Sequence, residues 1–135
     1  MAEGELKRKL RELIVDEEEL SAALVDRTKR FIRLTRDGKV VFMVQKDRLP
    51  IRSQILLYLT GKRIARELGL VESDLASIEE ISAAIGAEYF TVAARLTELK
   101  NQYLVFAVER GGYTVQLAKL QEILDSVERS MAAKQ

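Results

Sequence analysis

Between Ser77 and Val115 the hydrophobic period of the chain changes twice, and that succession constrains the fold more than any other feature of the sequence. Ile78, Ile81 and Ile85 recur at three- and four-residue steps and share one helical face, with Ser77 and Glu80 spaced as a capping box ahead of them. Gly86 follows where a helix needs a left-handed residue to end. A second amphipathic run places Val92, Leu96, Leu99 and Tyr103 inward. The period then drops to that of short strands in Leu104–Val108 and Tyr113–Val115, separated by Glu109-Arg110-Gly111-Gly112. Two helices about a tight turn, then a small hairpin, is the expected local order.

The flanks extend this pattern. Leu6, Leu10, Leu13, Leu20 and Leu24 step along a predicted N-terminal helix from about Glu3 to Val25, with Glu17 interrupting the row. Arg36-Asp37-Gly38 supplies a turn between the mixed basic and apolar residues 27–35 and the β-branched, aromatic run Lys39–Val44, which predicts a hairpin. A continuous helix through Lys29–Leu34 is the competing reading. Pro50, the sole proline, suits the first turn of a helix running through the apolar Ile55–Leu59 to Leu68. Gly61 inside that helix costs about 1 kcal/mol relative to Ala and implies close approach of another element. Residues 69–74 read as a loop. Leu117, Leu120, Leu124, Val127 and Met131 step by three and four, a coiled-coil-like seam on a C-terminal helix.

The chain contains neither cysteine nor histidine, which excludes disulfides, thiolate chemistry, imidazole acid–base catalysis and zinc sites built on those ligands. The carboxylate run Asp16–Glu19 and the pair Glu79-Glu80 stand on solvated helices with no nucleophile, phosphate loop or ligand cluster beside them. The expectation is therefore a protein that is not an enzyme and takes no cofactor or metal. No apolar run reaches the roughly 20 residues of a membrane span, and the acidic start with Glu3 and Glu5 does not read as a signal peptide, so a cytoplasmic, non-membrane protein is expected.

The segment from about Pro50 to Val115 resembles the winged helix-turn-helix superfamily of DNA-binding regulators. The residues that carry the resemblance are Ala83-Ala84 where two helices would cross, the Ile85-Gly86 turn, Thr91-Val92 early in the second helix, the Leu96 and Leu99 core pair, and the Tyr103-Leu104-Val105 exit into the hairpin. The resemblance implies an α+β, mainly α, fold. Residues 50–116 would form the winged-helix domain, residues 1–49 an N-terminal helix and basic β-hairpin packed on its core, and residues 117–135 a C-terminal amphipathic helix. It also implies double-stranded DNA as partner and a role as transcriptional regulator or architectural factor. Winged helices also serve as protein-docking modules, which leaves a protein–protein interaction module as the alternative.

Charge decides where such a partner would bind. The net charge is only +1, yet residues 27–66 hold 12 basic and 2 acidic side chains, a block of +10 between two acidic flanks. Arg33, Arg36 and Lys39 surround the first predicted hairpin turn, Lys62, Arg63 and Arg66 lie near the end of the apolar helix, and Arg110 sits at the tip of the second hairpin. All are candidates for phosphate contacts. The second helix of the motif offers Tyr89, Phe90, Arg95 and Lys100 on or near its outer side, few of them base readers, with Glu88 unfavourable to phosphate. Tyr89 and Phe90 would equally dock a protein partner. A homodimer is expected through the seam of Leu117, Leu120, Leu124, Val127 and Met131, unless that row and the N-terminal leucines cover each other within one chain.

Overall fold

A computed structural model describes residues 3–13, 21–108 and 110–134. The element order is α1 (Glu3–Arg11), α2 (Ala22–Lys29), β1 (Ile32–Leu34), β2 (Val40–Phe42), α3 (Ile51–Glu67), α4 (Ile78–Ile85), α5 (Tyr89–Asn101), β3 (Phe106–Val108), β4 (Gly112–Thr114) and α6 (Leu120–Lys134). The fold is α+β and mainly α, with two separate two-stranded antiparallel sheets. No helix among the described residues is long and apolar enough to cross a membrane.

Helix α3 is the axis of the core. Ile55, Leu56, Leu57 and Leu59 are fully buried because neighbours cover nearly every side of the helix: α4 and α5, hairpin β1–β2, strand β4 and helix α6. Pro50 occupies the N-cap position just ahead of the first turn, where its missing N–H costs nothing. Gln54 fixes the approach to this helix by donating from Nε2 to the Lys46 and Leu49 carbonyls, each at 3.0 Å.

The Asp-Gly signal did mark a hairpin. Ile32, Arg33 and Leu34 pair with Phe42, Val41 and Val40, and α2 ends at Lys29. Gly38 makes the turn at φ +87°, in space closed on a side chain by Val71, whose Cγ1 lies 2.6 Å from where a Cβ would stand. Gly61 has the role its cost implied: a Cβ there would sit 2.6 Å from Val40 Cγ2 and 3.2 Å from Ile32 Cδ1, so the bare backbone of α3 is the bed on which this hairpin lies.

The N-terminal helix is not continuous from Glu3 to Val25. Helix α1 stops at Arg11, and α2 starts afresh behind Ser21, whose hydroxyl accepts from the Leu24 N–H at 3.2 Å. Glu17, Leu20 and the run Asp16–Glu19 lie outside the described residues. Among the described leucines of this row, Leu6, Leu10 and Leu13 are exposed and Leu24 packs on the core.

The C-terminal row needs the larger correction. Leu117, Leu120, Leu124 and Val127 are buried within the chain, and Met131 packs against the same cluster. The seam predicted to bind a second copy is instead the inner face of α6, which lies on α3 and α2. Arg27 of α2 holds it there by forking onto Glu128 at 3.0 and 2.9 Å and reaching Asp125 at 2.7 Å. These hydrogen bonds raise the pKa of the guanidinium. One hydrophobic cluster thus runs from Phe31 to Val127.

Candidate nucleic-acid interface

Helices α4 and α5 are joined by a tight turn whose local chemistry follows the sequence. The Ser77 hydroxyl accepts from the Glu80 N–H at 3.1 Å, and Gly86 ends α4 at φ +70°. Glu80 does not complete the capping box. Its carboxylate accepts instead from the Tyr58 hydroxyl at 2.7 Å and from Lys62 Nζ at 2.5 Å, which locks α4 onto α3. Burial and that carboxylate raise the Tyr58 pKa, so the phenol stays protonated. Ala83 and Ala84 face outward rather than into a helix crossing.

Val92, Leu96 and Leu99 are wholly buried and set the rotation of α5, so its other face is turned to solvent. Phe90 is 75% exposed, and its ring meets Tyr89 edge-on at 5.3 Å between centroids. Lys100 is exposed further along the helix; Arg95 is held by Glu98 at 2.9 Å. Tyr103, predicted inward, is 70% exposed at φ +61°, because it is the left-handed residue that turns the chain out of α5.

The second hairpin pairs Phe106, Ala107 and Val108 with Thr114, Tyr113 and Gly112. Ala76, between α3 and α4, forms an antiparallel bridge with Tyr113 and so adds a third extended segment at its edge. Glu109 lies outside the described residues; Arg110 follows it at φ +72°, exposed at the tip. Asp74, read from sequence as loop, is buried and joins this hairpin to the end of α3. It accepts from Thr114 Oγ1 at 2.5 Å and Arg66 at 2.9 Å, with Arg63 at 3.9 Å. Burial opposes ionisation of Asp74, but the hydrogen bonds from Thr114, its own backbone and Arg66 outweigh it, and the carboxyl lies below its ordinary range.

The basic block therefore divides in two. Lys62, Arg63 and Arg66, expected to contact phosphate, are drawn to Glu80, Glu67 and Asp74; the Lys62 and Arg66 pairs tie α3 to its neighbours, while Arg63–Glu67 lies within the helix. Arg33, Arg36 and Lys39 are exposed around the β1–β2 turn; Arg33 makes one long contact to the Lys29 carbonyl at 3.4 Å, and Lys39 lies 3.8 Å from Asp37 with 80% of its side chain in solvent. Hydrogen bonding from Thr35 and the nearby Lys39 lower the Asp37 pKa. Sequence reasoning missed Arg30 and Arg48, both exposed and without an acidic partner among the described residues, and Asn101, exposed at the end of α5. It also missed Lys46, which sits over the Phe42 ring at 5.4 Å and reaches the Ala84 carbonyl at 3.4 Å. That contact carries the basic segment to the α4–α5 turn, and Lys39 shares a cleft of about 380 Å³ with Ala84.

Compared with family models, curated proteins and solved structures, the chain matches none.

Proposed function

We propose that this chain is a DNA-binding protein of the winged helix-turn-helix class, a transcriptional regulator or architectural factor whose contacts fall mainly on the phosphate backbone. The observation that carries the reading is the order α3, bridged Ala76, α4, α5 and β3–β4, with an outward α5 face followed along the chain by a hairpin that presents Arg110. In this arrangement α5 is the helix for the major groove and the hairpin is the wing. Arg110 adds a second argument. A non-glycine residue in the left-handed region costs roughly 1–2 kcal/mol, and a side chain kept there at a solvent-exposed tip points to use rather than packing.

Arg33, Arg36 and Lys39 supply sequence-independent attraction, while Tyr89, Phe90, Lys100 and Arg110 form the contact surface. Few base-reading side chains stand on α5, so sequence preference is modest and salt dependence strong. Titrating a duplex at several salt concentrations tests the reading: affinity falls steeply with salt, and replacing Arg33, Arg36 and Lys39 with Ala flattens the slope by up to about 0.9 for each phosphate no longer neutralised. Absence of duplex binding at low salt overturns it.

One observation favours a protein-docking module as the second reading. The Tyr89–Phe90 pair is a large exposed aromatic surface, and aromatic side chains are enriched at protein interfaces. Phe90→Ala separates the two: a docking module loses its partner, while backbone-dominated DNA binding weakens little.

A further inference from the structure

The first turn of α3, the end of α5 and one flank of α6 bound a cleft of about 670 Å³, lined by none of the residues assigned above to DNA. Arg52, Gln102, Ser126 and Arg129 line it, together with the carboxylates Glu122 and Asp125. Arg52 is half-buried, and its guanidinium donates to Ser126 Oγ at 2.5 Å and to Gln102 Oε1. Both acceptors are neutral, and Arg52 forms no ion pair among the described residues. The cleft's own carboxylates are engaged elsewhere: Asp125 accepts from Arg27 at 2.7 Å, and Glu122 lies 3.7 Å from Lys119.

Taking a guanidinium partly out of water without a direct ion pair is unfavourable. Desolvation lowers the Arg52 pKa, the Glu98 charge opposes that, and the like charge of Arg129 adds to it. With their oxygens accepting from Arg52, the Gln102 amide and the Ser126 hydroxyl retain their hydrogens to donate. The cleft therefore offers two guanidinium groups, an amide and a hydroxyl as donors; neither guanidinium is ion-paired among the described residues, and the two carboxylates that share the lining, Glu122 and Asp125, face Lys119 and Arg27. A phosphate monoester, dianionic with three terminal oxygens, matches that donor set. The volume falls in the range of about 300–1,000 Å³ for small-molecule sites and is larger than a bare phosphate needs.

We infer that the cleft between Arg52 and Arg129 binds a small organic phosphate of sugar-phosphate or nucleotide size. The inference is independent of the DNA reading. It makes the first turn of α3, the end of α5 and α6 the walls of a ligand site.

Titration of the ¹⁵N-labelled chain with ribose 5-phosphate, and with ribose plus chloride at matched ionic strength, tests it by amide chemical shifts. The expected result is saturable shifts at Gln102, Ser126 and Arg129 with ribose 5-phosphate and none with ribose. Arg129→Gln, an exposed position that leaves the fold intact by thermal melting, should weaken the affinity about tenfold, as for removal of one charge-assisted hydrogen bond. Arg52→Gln should weaken it further, with a melting curve reporting any loss of its bonds to Ser126 and Gln102. Shifts that do not saturate, shifts spread equally over Arg33, Arg36 and Arg110, or an unchanged affinity in Arg129→Gln overturn the inference. So does a shallower salt slope of duplex binding in Arg129→Gln, which would give the cleft to a backbone phosphate instead.

Discussion

Gly61 is a position where propensity and packing make opposite demands. In an isolated helix Ala is better than Gly by about 1 kcal/mol, but here the added methyl would stand 2.6 Å from Val40 Cγ2. Overpacking of this kind costs roughly 1–3 kcal/mol, so Gly61→Ala is expected to lower stability in chemical denaturation rather than raise it. A stabilised variant would mean that the hairpin yields without cost. Arg110 carries the reverse expectation. Arg110→Gly relieves the left-handed conformation, so the melting temperature holds or rises while duplex affinity falls modestly. A variant that binds DNA as before would leave the hairpin tip without a role.

At the scale of elements, what the sequence disclosed and what it hid divide along a physical line. Helix periods, the Gly86 stop, the Asp-Gly turn and the second hairpin are local, set by residues within a turn or two of each other. Long-range pairings were not legible: nothing in the spacing of Lys62, Arg63 and Arg66 reveals that Glu80 and Asp74 come to meet them. Exposure was misread for the same reason at Ala83-Ala84, whose surroundings are tertiary, and at Tyr103 because the left-handed turn out of α5 ends the helical period there. Asp74 is the sharpest instance, a loop aspartate by sequence and the clamp between α3 and β4 in the fold. Asp74→Asn is expected to destabilise by about 2 kcal/mol near neutral pH, as for hydrogen bonds to a charged group. Because the folded carboxyl titrates below its ordinary value, its contribution is present above the unfolded pKa of about 3.9 and is lost as pH falls through the folded one. Melting curves of both proteins should converge in that acid range, and a constant gap would contradict the clamp.

For the whole molecule, the fate of the C-terminal row shows how an amphipathic seam leaves its partner undetermined. The spacing of Leu117, Leu120, Leu124 and Val127 fits a second copy or the chain's own core equally well, and here it closes over α3. Leu124→Lys would place a charge in a site with no exposure, so loss of the cooperative unfolding transition is expected, not conversion of a dimer to a folded monomer. A folded, smaller species in sedimentation equilibrium would restore the intermolecular seam. The same closure sorts the charges: cations near acidic partners become ties, and Arg33, Arg36, Lys39, Lys100 and Arg110 remain at the surface. The measurement that bears most directly on the DNA-binding reading is the salt dependence of binding to a duplex of arbitrary sequence, for the unaltered chain and for the triple Ala variant at Arg33, Arg36 and Lys39. A steep fall in affinity with salt is expected, with a slope reduced by up to about 2.7 in the variant, about 0.9 for each phosphate that the three side chains neutralise. A duplex that does not bind at low salt, or a slope identical in both proteins, would contradict it.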